Sequence, residues 1–172
     1  MRTFLVGLIV GIACPFVLAL AGGLLGFAPI DARSRPPAWE GALAYRIRQA
    51  TLDRRVAKTA NPMDPTEANL LAGMKLYQDN CAGCHGGANG ESAFGASFYP
   101  RAPQFVTHLP VTPDWEMFWI VKNGVRYTAM PAWEGMLGKD ADQKIWQVLA
   151  FIDNLEALPP SVKAEWHKVP AN

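Results

Sequence analysis

Five consecutive residues, Cys81-Ala82-Gly83-Cys84-His85, bring two thiols and an imidazole within one helical turn. Thiols at that spacing can each form a thioether to the edge of a porphyrin while the adjacent imidazole reaches the iron, so the motif reads as a covalent attachment site for one haem c. Two other chemistries use paired cysteines. A structural zinc site needs about four ligands, and the remaining His108 and His167 bring neither a second Cys-x-x-Cys nor a paired-His spacing. A thioredoxin-like dithiol follows a strand in an alternating strand and helix pattern, whereas a helical pattern leads into this motif. The third cysteine, Cys14, sits in an apolar N-terminal run and reads as a small packing residue, so no disulfide framework fits.

An iron that only exchanges electrons needs a sixth ligand. Met130 is the candidate, 45 residues after His85, in the stretch Lys122-Asn123-Gly124-Val125-Arg126-Tyr127-Thr128-Ala129-Met130-Pro131-Ala132-Trp133. Glycine and proline mark that stretch as a loop. A thioether on such a constrained loop can be held at the iron without a helix to carry it, and an axial methionine raises the reduction potential. His108 is the alternative ligand, and Met63, Met74, Met117 and Met136 read as packing. Arg126 and Tyr127 suit the carboxylates of a haem, because buried carboxylates need donors; an exposed pair of loop residues is the equal alternative. The cofactor-binding set is therefore Cys81, Cys84, His85 and Met130, with His85 and Met130 on the metal.

The elements that must position these groups are helical. Thr66 is a suitable N-cap for a helix with apolar residues at Leu70, Leu71, Met74, Leu76 and Tyr77, ending near Asn80. A last helix begins after Asp140 or Asp142 and stops at Pro159-Pro160. Beyond it the tail holds Trp166 and His167 in no recognisable motif. Upstream, Trp39 to Lys58 reads as a helix with Trp39, Leu43, Ile47 and Ala50 on one face and an Arg-rich face opposite. It suits a solvated spacer, or a helix lying at a lipid surface or docked on a larger partner. Asn61-Pro62-Met63-Asp64-Pro65 breaks the helical pattern on both sides.

From Phe4 to Ile30 there is no charged residue, enough for one bilayer crossing. Ala19-Leu20-Ala21 resembles a signal-peptide cleavage site, but the apolar run continues through Phe27, longer than the roughly 7–15 residues of a signal-peptide core. The chain thus divides into a transmembrane anchor at 1–30, an Arg-rich helical connector at 31–61 and a C-terminal domain at 62–172. Residues 1–61 carry eight Arg or Lys against three acids, and residues 62–172 carry eight against twelve. An acidic C-terminal domain without a basic stripe argues against nucleic acid, because phosphate binding needs clustered cations. Arg2 precedes the anchor and Arg33, Arg35, Arg46 and Arg48 follow it, a bias that by itself favours a cytoplasmic domain.

The segment from about Leu70 to Leu158 resembles class I cytochrome c. The resemblance rests on Leu70-x-x-Gly73-x-x-x-Tyr77 before Cys81-Ala82-Gly83-Cys84-His85-Gly86, then Asn123-Gly124 before Met130-Pro131-Ala132-Trp133, then Ile145-Trp146-x-x-Leu149-x-Phe151-Ile152-x-x-Leu155. It implies an all-α domain around one covalent haem. It implies a crossing of first and last helices at Gly73 against the Trp146 to Phe151 stretch, where a glycine permits close approach. It also implies a proline carbonyl that orients the histidine, Pro103 in Arg101-Ala102-Pro103-Gln104-Phe105 being the candidate and Pro100 the alternative. Trp115, Trp119, Trp133, Trp146 and Trp166 make this domain Trp-rich beside small soluble relatives, and Trp119 and Trp146 read as core.

The resemblance implies haem attachment on the outer side of a bacterial inner membrane, which overrides the charge bias, since long domains translocate largely regardless of charge. The expected function is a membrane-anchored, single-pass carrier of single electrons facing the periplasm, partnered by redox proteins, with no small-molecule substrate and no catalysis of its own. The alternative is a haem-carrying subunit of a larger respiratory oxidase or dehydrogenase complex. A gas or redox sensor using a displaceable Met130 is a third reading, weakened by the lack of an attached signalling domain.

Overall fold

The structure is a computed structural model describing residues 1–34 and 36–168; Arg35, counted above in the basic flank, and residues 169–172 of the C-terminal domain lie outside the described residues. Two compact units make up the chain, Met1–Arg35 and Pro36–Asn172.

The first unit is one helix, α1 (Arg2–Leu24), with Pro15 inside it and no buried residue. At 1.5 Å per residue it is about 35 Å long, the thickness of a bilayer core with some tilt. Its most apolar stretch has a mean hydropathy of 2.7. By length and composition α1 is able to cross a membrane, as a signal sequence also would be.

Among the described residues the second unit is all-helical: α2 (Ala38–Arg55), α3 (Glu67–Asn80), α4 (Ala82–His85), α5 (Ala93–Ala96), α6 (Asp114–Asn123), α7 (Glu134–Leu137), α8 (Ala141–Asp153) and α9 (Pro160–Trp166). Thr66 caps α3 as expected, its hydroxyl accepting from the Asn69 amide at 3.3 Å. The core forms where α3 crosses α8. Gly73 faces the α8 backbone so closely that a Cβ there would lie 2.0 Å from the Gln147 carbonyl oxygen and 3.1 Å from Phe151 Cβ. Leu70, Tyr77, Ile145, Leu149, Phe151 and Ile152 close the crossing, each at most 2 % exposed. This is the glycine-to-aromatic contact that the resemblance implies.

Two expectations at the C-terminus change. Helix α8 starts at Ala141 but ends at Asp153, short of the two prolines, and Pro160 instead opens α9 from the first helical position, where its missing N–H is no loss. The tail is part of the core: Val162 and Trp166 are buried, and the Trp166 ring packs 5.9 Å from Tyr77 and 5.1 Å from Phe151, centroid to centroid. A buried valine four residues before a buried tryptophan is a one-turn signal, too short to stand out from sequence.

Helix α2 packs with the face opposite to its apolar stripe. Leu52 is buried, and Arg48 and Gln49 reach the Glu116 carboxylate of α6, Nη2 at 3.1 Å and Nε2 at 3.1 Å. Trp39, Leu43 and Ile47 remain 50–65 % exposed. Below α2, the Asn61 amide donates to Asp114 Oδ2 at 2.9 Å and its side chain to the Trp146 carbonyl at 3.0 Å, tying the proline-rich break to α6 and α8. Trp119 and Trp146 are half-buried rather than fully enclosed, Trp146 stacked on Phe118 at 4.1 Å. Of the packing methionines, Met74 and Met117 are buried and Met63 is half-buried against the core, but Met136 is 64 % exposed on the one-turn helix α7, which turns Leu137 to the core instead.

Candidate functional site

Cys81 ends α3 and begins α4, so the motif is held by the end of a helix that the core already fixes. The Cys84 and His85 amides both donate to the Cys81 carbonyl, at 3.0 and 2.9 Å, which wraps the two thiols and the imidazole into one turn. Gly86 follows at φ +85°, where a Cβ would meet Val106 at 2.7 Å; the chain must turn sharply there to let 103–106 pass beneath the histidine. The Tyr77 hydroxyl donates to the Gly86 carbonyl at 2.8 Å, fastening the turn to the α3–α8 crossing.

The imidazole is oriented from behind. Its Nδ1 lies 2.8 Å from the Pro103 carbonyl oxygen, so Pro103 and not Pro100 is the acceptor. A proton on Nδ1 leaves the lone pair on Nε2, the nitrogen free to bind a metal. The Phe105 ring lies flat against the imidazole, 4.6 Å between centroids and 3° between planes, and the Phe105 amide donates to the His85 carbonyl at 3.1 Å. Burial lowers the His85 pKa from its ordinary value, partly countered by the Pro103 contact, which keeps the ring neutral as a metal ligand must be. Burial and the neighbouring Cys84 push the Cys81 thiol up to about 12. Both effects favour uncharged groups around an apolar guest.

Cys84 is positioned by residues that the sequence did not single out. Gln104 Nε2 donates to the Cys84 carbonyl at 2.9 Å, and Gln104 Oε1 accepts from the Ser92 amide at 2.7 Å. Gly95 passes so close that a Cβ there would lie 1.8 Å from the Cys84 oxygen. A glutamine one residue after the orienting proline was the available signal for the first contact; nothing local marks Gly95.

Met130 is half-buried against the same core that Cys81 borders. Its loop is closed on itself: the Val125 amide donates to the Met130 carbonyl at 3.1 Å, the Met130 amide donates to the Thr128 hydroxyl at 3.1 Å, and the Trp133 amide donates to the Val121 carbonyl at 3.1 Å. Gly124, at φ +69°, abuts Met130 to Ala132 so tightly that a Cβ there would lie 2.7–2.8 Å from their backbone. Cys81 and Trp133, three residues beyond Met130, line one narrow apolar cleft with Leu76, Val121, Leu137 and Val148. A separate cleft of about 250 Å³, between Gly87, Phe105, Leu158 and Trp166, contains none of the four candidate ligands. His108 is exposed, with Nδ1 3.0 Å from the Thr107 hydroxyl, and Arg126 and Tyr127 are exposed, Tyr127 at 92 %.

The residues present fit haem c. Two unpaired thiols stand in one turn beside an imidazole whose outer nitrogen is free, next to an apolar cleft shared with the methionine loop. Among the described residues no group of three or more His, Cys, Asp or Glu side chains is arranged to hold a metal ion.

Residues 68–152, just under half of the chain, match the family model described as cytochrome c oxidase, cbb3-type, subunit III. The matched segment contains Cys81, Cys84, His85, Pro103 and Met130 and runs through α8 almost to its end. No curated protein matches the chain.

Proposed function

We propose that residues 68–152, the segment that matches the family model, form a class I cytochrome c domain and that this chain is a membrane-anchored monohaem carrier of single electrons. Cys81 and Cys84 would hold the haem covalently, and His85 and Met130 would ligate its iron. The observation that carries the reading is the turn from Cys81 to His85 with Nδ1 engaged on Pro103 and Nε2 free. When bound, haem c supplies a one-electron iron couple, whose potential an axial methionine raises. Pro103 and Phe105 fix the plane of the imidazole, so little need rearrange between oxidation states. The knit loop from Gly124 to Trp133 holds the Met130 thioether without a helix. With His85 and Met130 both on the iron, no coordination site would be left for small-molecule chemistry, and the protein would hand electrons between partners instead of transforming a substrate. Helix α1 serves as an uncleaved single-pass anchor in a bacterial inner membrane, with the haem domain on the periplasmic side, and the tether raises its local concentration at membrane partners.

The family match favours one second reading, a haem-carrying subunit of a larger respiratory oxidase or dehydrogenase complex. Mild solubilisation separates the two: comigration with other chains supports the subunit, and a free chain supports the carrier.

The coordination is tested by the absorption spectrum and pyridine haemochrome of the purified protein and of Met130→Ala. One covalent haem c per chain, with the far-red sulfur-to-iron band lost and the potential lowered in the variant, is the expected result. A band that survives the substitution removes Met130 from the iron; a chain with no covalent haem removes the whole reading.

A further inference from the structure

Helix α2 has two working faces. One is spent on the chain itself: Leu52 is buried, and Arg48 and Gln49 reach Glu116 of α6. The face diametrically opposite carries Trp39, Leu43, Ile47 and Ala50 at spacings of four, four and three, with the three large side chains 65 %, 50 % and 59 % exposed. Since the packed face is fixed, the apolar stripe is fixed pointing away from the haem domain. An isolated exposed leucine is ordinary, but a continuous stripe led by a tryptophan is not.

Charge selects the occupant. Helix α2 contains two acids, and both are engaged: Glu40 accepts from the Tyr99 hydroxyl at 3.0 Å, and Asp53 pairs with Lys58 at 2.8 Å. Arg48 is matched by Glu116. Arg46 borders the stripe and Arg54 prolongs it; both are exposed, and neither makes an ion pair among the described residues. An apolar ridge edged by uncompensated arginines, with tryptophan at one end, has the composition of a helix that lies in the interface of an anionic bilayer, where arginine stems extend along the acyl boundary and their heads meet phosphate. Thirteen residues of chain separate Leu24 from Ala38, a short reach from the end of α1. Residues 62–172, by contrast, have four more acids than cations and would be repelled by the same surface.

We propose that the outward face of α2, Trp39, Leu43 and Ile47 flanked by Arg46 and Arg54, docks on an anionic lipid surface and sets the height and facing of the haem domain above it. This rests on the reading of α1 as a membrane span.

The test uses the full haem-loaded chain in vesicles of phosphatidylcholine alone or mixed with phosphatidylglycerol, with a fluorophore on a single cysteine; Cys81 and Cys84 are consumed by haem attachment. A label on the native Cys14 reports the span. A label on Leu43→Cys, or on Ile47→Cys as the second site, each in a Cys14→Ser background, reports α2. In the anionic vesicles the α2 label should be quenched by a nitroxide lipid labelled near the headgroup and shielded from aqueous acrylamide. Arg46→Gln with Arg54→Gln should shift the docked-to-undocked ratio roughly thirtyfold toward the acrylamide-accessible state. An α2 label open to acrylamide in both vesicles overturns the proposal. So does one shielded from acrylamide yet untouched by the nitroxide lipid, which would place a protein, such as a second copy of this chain, on the stripe. Failure of the Cys14 label to meet a mid-bilayer quencher sinks the span alone, because the α2 label still decides the docking by itself.

Discussion

The α3–α8 crossing and the α2–α6 seam hold the same unit together by opposite means. At the crossing a glycine lets two backbones touch and every enclosed side chain is apolar or, like Tyr77, has a carbonyl for its one polar atom. At the seam a carboxylate that is 1 % exposed is answered by an arginine and a glutamine, with Arg48 Nε left without a partner. The crossing gains stability by removing apolar surface from water and tolerates no added volume. The seam gains less, because desolvating two charges offsets most of their attraction, but it admits one pairing and so defines which face of α2 turns inward. One contact supplies stability, the other orientation.

The largest expected effect is at the crossing. Gly73→Val places carbon where the Gln147 carbonyl already lies, so the helices must part; a loss of about 3 kcal/mol or more is expected in urea unfolding of the haem-loaded protein. A near-normal midpoint would show that the crossing is looser than its geometry.

At the seam, Glu116→Ala leaves Arg48 facing the gap. Because the Arg48 side chain is 35 % exposed, the expected cost is about 1–2 kcal/mol, below that of a fully enclosed pair. Hydrogen exchange should lose protection in α2 before α3 or α8. Joining Arg48→Met to Glu116→Leu should restore the protection, and if it does not, the pair stabilises more than it orients.

The smallest effect is at the end of α8. Desolvation, with help from Asp114, pushes the Asp153 carboxyl up to about 6 from 3.8. A raised carboxyl contributes stability fully below its unfolded value and loses it as pH rises through its folded one. Asp153→Asn should therefore raise the melting temperature at pH 8 and leave it nearly unchanged below pH 4. An equal gain at both would assign the effect to the charge-free capping of the helix end instead.

The difference between crossing and seam also separates what was legible in the sequence from what was not. Cys81 to His85 are contiguous, so their geometry follows once a helix leads into them. Thr66 was legible as a cap from residue identity, whereas Gly73 and Pro103 were placed by the resemblance. The apolar stripe at Trp39, Leu43 and Ile47 was legible as a stripe, but periodicity reports which residues share a face and not where that face points. Glu116, in a helix with acids in its first turn, reads as an ordinary solvated carboxylate; its burial depends on Arg48 arriving from 68 positions earlier. Helix α9 was missed for a related reason, since Val162 and Trp166 matter only because Tyr77 and Phe151 wait for them.

That last arrangement bears on the order in which the protein is made. Tyr77, one turn before the first thiol, is roofed by Phe151 and Trp166, and Trp166 stands near the end of the chain. A chain emerging from its N-terminus exposes both cysteines and the histidine long before the residues that enclose them exist. Closing contacts of such long sequence separation form late, because their loop entropy must be overcome first. The motif is thus an open, accessible peptide until the long-range contacts form, and the enclosing helices close over it only afterwards.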